Sequence, residues 1–136
     1  MLHLLQNKPM APDGIISGTW KSADKLIKFN LPLIIFEEDG SQIMYCPALD
    51  VSGYGDSEEQ AKESFEICLG EFLLYTNHKK TFHDELQRLG WKIKKNSHKP
   101  MVPPDMSELL RNNENFSRIF NNFPFRKIDS PIALPA

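Results

Sequence analysis

The chain reads as an α+β fold: an antiparallel three-stranded meander, one long helix and a fourth strand, then a C-terminal helical segment and an extended arm. Three observations predict it. Between residues 25 and 54, three apolar or alternating runs are separated by turn chemistry at Glu38-Asp39-Gly40-Ser41 and at Pro47. A helix start follows at once, with Ser57 three residues ahead of Gln60 as a capping box. Beyond Gly90 the segment Trp91-Lys92-Ile93-Lys94 alternates again.

The first strand is placed at Lys25 to Glu37. It alternates at first and then becomes continuously apolar from Leu33 to Phe36, the pattern of a central strand. Pro32 marks an early or edge position where no ladder donor is needed. Gln42 to Cys46 returns as the second strand and Val51 to Tyr54 is the third. Gly53-x-Gly55 is too short to cradle a phosphate and instead lets a strand pass close to a helix.

The helix from Ser57 to about Asn77 opens with Asp56, Glu58 and Glu59, where the helix dipole favours negative charge. At about 100° per residue, Ala61, Phe65, Cys68, Phe72 and Tyr75 share an arc of about 80°, the stripe expected to cover one sheet face. Ile67 and Leu74 lie on the opposite side. That second stripe is open to three readings: a partner helix, cover by the chain's own tail, or ordinary surface apolarity. Thr81 to Leu89 is a further short helix closed by Gly90.

From residue 96 the composition shifts. The chain divides into an N-terminal extension (1–24, with a short strand at Ile15 to Lys21), an α+β domain (25–95), and a C-terminal part (96–136) of Pro-rich linker, short helices and arm. Asp105 with Glu108 starts one short helix and Asn113 caps the next, which carries Phe116, Ile119 and Phe120. The tail from Phe123, with prolines at 124, 131 and 135, reads as an extended arm.

Composition excludes several function classes. With 136 residues, 40% hydrophobic, 25% charged and a net charge of −2, this is a globular chain rather than a disordered one or one held to nucleic acid by bulk charge. Two cysteines, Cys46 and Cys68, make neither a disulfide framework nor a four-ligand zinc site, and read as small buried hydrophobes in a reducing compartment. Met1 to Gly14 lacks the long apolar core of a secretory signal, so cytoplasm is the expectation.

No catalytic, cofactor or metal constellation emerges. His78 and His83 stand five apart, off helical metal-pair spacing, no HExxH pattern exists, and the four histidines, His3, His78, His83 and His98, read as surface or capping groups. Glu37, Glu38, Asp50, Asp56, Glu58 and Glu59 read as a solvated turn and a dipole-compensated helix start, not as a two-metal site. Lys92, Lys94 and Lys95, with His98 and Lys99, form a basic cluster with the chemistry to meet phosphates; Arg111, Arg118, Arg126 and Lys127 form a looser one. A solvated strand edge explains the lysines equally well.

The residues Tyr45, Cys46, Pro47 and Leu49, then Gly55, Asp56, Ser57, Gln60 and Ala61, resemble the HicB family of bacterial antitoxins over about residues 28 to 95. In that family a strand ending near Cys-Pro-x-Leu leads through a short strand to Gly-Asp-Ser/Thr at a helix start. The resemblance implies a partly eroded ribonuclease H-like β-β-β-α-β fold without the nuclease carboxylates, and therefore a non-enzymatic role. It also implies a homo-oligomer (dimer or tetramer) that neutralises a small, basic HicA-like toxin cleaving messenger RNA. Many members add a DNA-binding ribbon-helix-helix or helix-turn-helix domain, and residues 96 to 136 show neither pattern. Partner contacts are then expected at Glu58, Glu59, Glu63, Ile67 and Leu74, and on the arm at Phe123, Phe125, Ile132 and Leu134. The alternative is a stand-alone nucleic-acid-binding regulator using Lys92, Lys94 and Lys95.

Overall fold

Asp39 and Gly40, with φ of +54° and +82°, close a two-residue type I′ hairpin between the first two strands in a computed structural model of the chain. Residues 26–76, 78–94 and 100–135 are described. The expected strand at Ile15 to Lys21, and His3, Lys95, His98 and Lys99, lie outside them. The hairpin joins β1 (Leu26–Glu38) to β2 (Ser41–Cys46), and β3 (Val51–Gly55) completes the meander. The helix α1 (Glu58–Tyr75) follows, then α2 (Lys79–Arg88). The chain is α+β with a four-stranded antiparallel sheet, as expected.

The fourth strand of that sheet is not the segment at Trp91. Lys92–Ile93 (β4) pairs instead with Met101–Val102 (β5) in a small sheet of its own. Two short helices come next, α3 (Met106–Asn112) and α4 (Glu114–Asn122). The C-terminal arm then returns as β6 (Phe125–Pro135), antiparallel to β1 along eleven residue pairs from Leu26↔Pro135 to Phe36↔Phe125. The sheet order is β3-β2-β1-β6. The arm expected as an appendage is part of the main sheet.

Its prolines fit because of strand parity. The Tyr54 amide donates to Ser64 Oγ at 3.1 Å, so even-numbered residues of β3 turn their backbone groups away from β2. Alternation carried through the registers then puts the backbone nitrogens of Pro32, Pro131 and Pro135 on the sides facing away from the β1–β6 ladder. Pro32 needs no donor toward β2 either, since that ladder begins at Ile34↔Tyr45. All three leave the ladder intact.

Both faces of the sheet are covered, because the C-terminal helices, expected as a part separate from the α+β domain, pack on its second face. Leu31, Leu33, Ile35, Met44, Cys46, Ile132 and Leu134 face α1, α2, Trp91 and Met101. Ile34, Phe36, Ile43 and Tyr45 face Leu109 of α3 and Phe116 and Ile119 of α4. The run Leu33 to Phe36 is continuously apolar because alternate residues enter different cores.

The short helices are fixed by their ends. Asp105 and Glu108 form a full capping box on α3. The Asn113 side chain accepts from the Phe116 amide to start α4 at 3.0 Å. Past α2, Gly90 N–H donates to Gln87 O and Trp91 N–H to Leu86 O, a Schellman closure with Gly90 at φ +101°. On α1 the buried stripe is Ala61, Phe65, Leu69 and Leu73, with Cys68 and Phe72 beside it. Tyr75, expected on that stripe, is 82% exposed.

Candidate functional site

The segment from Tyr45 to Ala61 links the two cores, and each of its motif residues has a structural task. At the end of β2, Asp50 N–H donates back to Cys46 O at 2.8 Å, closing a turn that buries Pro47, Ala48 and Leu49. Asp50 holds φ of +56°, a region aspartate tolerates. The Tyr45 hydroxyl donates to Asp50 Oδ1 at 2.6 Å and accepts from Asn113 Nδ2 at 2.9 Å. Burial first, and then the bond to Asp50, push the Tyr45 phenol well above its ordinary range.

Two residues from distant segments grip the same corner. Trp91 Nε1 donates to Ala48 O at 2.8 Å from one side of the sheet, and Asn113 Nδ2 reaches Pro47 O at 3.4 Å from the other. Trp91 also meets Phe29 edge-on at 5.1 Å between ring centroids. Neither partner is legible from spacing, since 43 and 66 residues separate the bonded groups.

Cys46 is fully buried at this corner, and burial pushes its thiol up from 9.0 to about 12. A raised folded pKa means the unfolded chain ionises first. The resulting stabilisation is intact below pH 9 and is lost as pH climbs toward 12. Between pH 7 and 10.5, Cys46 should therefore account for a loss of about 2 kcal/mol. Urea titrations at both pH values check this: Cys46→Ala lowers stability overall but shows a smaller drop between them. An equal drop in both proteins would remove the assignment.

The helix start is built by reciprocal bonds. Ser57 Oγ accepts from Gln60 N–H at 3.1 Å, while Gln60 Oε1 accepts from Asp56 N–H at 2.8 Å. Gln60 thus reaches one residue past the cap. Gly55 lies against Gln60 and Ala61, and a Cβ there would meet Gln60 Cβ at 2.4 Å. The glycine pair lets β3 run against α1, as the sequence suggests.

The other expected contact residues divide. Glu58 is tied to Arg126 of β6 at 2.7 Å, and that hydrogen bond holds its carboxyl below the usual carboxylate range. Glu59 is exposed and Glu63 half-buried. Ile67 is half-buried, and Leu74 is 59% exposed near the end of α1 beside Tyr75. The arm residues do not form a free surface: Ile132 and Leu134 lie in the α1-side core, and Phe123 and Phe125 pack on the other. Sequence alone leaves them on an unpaired arm, because nothing local in it announces the strand pairing with β1.

Lys92 and Lys94 are exposed, flanking Ile93 on β4. The looser basic cluster is largely engaged. Arg118 meets Glu38 at 3.3 Å and lies over the Phe123 ring, while Lys127 meets Asp129 at 3.4 Å. A cleft of about 440 Å³ opens beside Asp50, bordered by Arg88, Glu108, Asn112, Asn113 and Glu114. It offers amides and carboxylates for hydrogen bonding. Among the described residues no group of three or more His, Cys, Asp or Glu side chains is placed to hold a metal ion. No described helix is long and apolar enough to cross a membrane. Compared with family profiles, curated proteins and solved structures, the chain finds no match.

Proposed function

We propose that this chain is a HicB-like antitoxin, a cytoplasmic binding protein that covers a small, basic, HicA-like mRNA-cleaving toxin. The observation that carries this reading is the Tyr45–Ala61 unit. Its Cys-Pro-x-Leu corner, glycine pair and Gly-Asp-Ser helix start are joined into one bonded assembly whose polar groups hold the fold together. Such a unit presents the acidic start of α1, with Glu59 exposed, as a face for a basic partner. The exposed Leu74 and Tyr75 at the other end of that helix add an apolar anchor of the kind interfaces favour.

Co-expression with a small basic protein encoded beside it tests the reading, with growth rescue and co-purification as readouts. Loss of both, with the antitoxin soluble, would end it. Complementary charge acts mainly on association rate. Glu59→Lys should accordingly slow toxin binding about tenfold at low salt and far less at high salt, measured by stopped-flow mixing. The rival, a nucleic-acid regulator acting through Lys92, Lys94 and Lys95, has Lys92 and Lys94 exposed on either side of Ile93 in its favour. It predicts salt-dependent gel shifts that Lys92→Glu/Lys94→Glu abolishes.

A further inference from the structure

Among the described residues, no strand pairs with the outer side of β6, which is one edge of the main sheet. By the same parity that accommodates the prolines, Phe125, Lys127, Asp129 and Ala133 turn their backbone groups outward there, while Pro131 and Pro135 present no donor. An open edge of this length is a template for strand addition, and the prolines limit where addition is possible. The run Phe125 to Pro131 remains.

That run is complementary to itself. Laid antiparallel against a second copy with a two-fold axis at Ile128, each Lys127 falls opposite the other copy's Asp129 as a pair that exchanges both backbone bonds. Opposite charges directly across a ladder stabilise it. The two Ile128 side chains face each other on the α1 side, where Ile128 is 38% exposed. A groove of about 180 Å³ lined by Phe65, Leu69, Ile128 and Ile132 runs beside it, giving the joined apolar seam a floor. Phe125 meets Pro131 at each end, and beyond Pro131 the missing donor stops the ladder. Centred one residue earlier, the axis would instead set Lys127 against Lys127.

We propose that this edge is a homodimer interface in which Phe125–Pro131 of two copies join their sheets into one continuous sheet. An isologous contact of this kind closes after two copies, because it uses up the β6 edge of each. It needs no toxin, so failure of growth rescue and failure of dimerisation are separate results.

Sedimentation of the purified full chain from about 1 to 100 μM tests it. The wild type should dimerise. Lys127→Asp places like charges across both ends of the contact and should raise the dimer dissociation constant at least about tenfold. The charge swap Lys127→Asp/Asp129→Lys restores the pairing and should restore the dimer. Circular dichroism melts confirm that each variant is folded. A monomeric wild type overturns the proposal, as does a Lys127→Asp protein that dimerises like wild type. So does a folded charge swap that stays monomeric, or a β6 edge that pairs only with a different protein.

Discussion

Replacing Gly53 with alanine is expected to lower stability by at least about 3 kcal/mol, a large share of what a domain of this size possesses. The added Cβ would stand 2.1 Å from Phe65 N, 2.5 Å from Phe65 Cα and 2.6 Å from Ala61 O. All three are backbone atoms of α1, so no rotamer change relieves the clash. The helix itself must retreat, and its buried stripe of Ala61, Phe65, Leu69 and Leu73 retreats with it. Gly40 provides the control. Its φ is positive, +82°, but a Cβ added there would have nothing within 4 Å, and asparagine tolerates that backbone region. Gly40→Asn should shift the urea midpoint by less than about 1 kcal/mol equivalent. If Gly53→Ala unfolds at the wild-type midpoint, the close approach of β3 and α1 is wrong.

Much of this arrangement is written locally. The Asp39-Gly40 hairpin, the Ser57–Gln60 cap, the Asp105–Glu108 box and the Asn113 cap each depend on residues within four positions of one another, so spacing alone locates them. Leu33 to Phe36 announces a strand buried on both faces, and the two cores confirm it. The long-range pairing is not legible. Four alternating residues at Trp91 do not say which sheet they join, and the small β4–β5 pair takes them.

The prolines of the tail mislead for a related reason. In isolation they suggest a segment that avoids ladders. Their harmlessness depends on sharing one parity, which only the register against β1 reveals. The second helical layer follows from the same gap, because α3 and α4 gain a surface to pack on only once β1 is seen as central. The buried stripe of α1 is rotated from the one that periodicity suggests: Leu69 and Leu73 are buried, whereas Tyr75 is exposed. At the site, the capping and glycine chemistry is readable, but the grip of Trp91 and Asn113 on the corner is not.

Leu134→Ala separates a core role of the arm from a partner-contact role. Leu134 is fully buried among α1-side core residues, opposite Ile27 of β1. Truncating it removes transfer free energy and leaves a cavity, together about 2–5 kcal/mol. An interface residue on a free arm would behave differently: the isolated protein would keep its stability and lose only binding. Urea unfolding of the isolated chain therefore decides the matter, with a lower midpoint and an unchanged m-value expected. Lys28→Ala, exposed on the neighbouring strand β1, should move the midpoint by less than about 0.5 kcal/mol equivalent. Wild-type stability of Leu134→Ala would return the arm to the surface. A loss of several kcal/mol would mean that any partner must approach a sheet already closed on its own tail, with Leu134 inside its core.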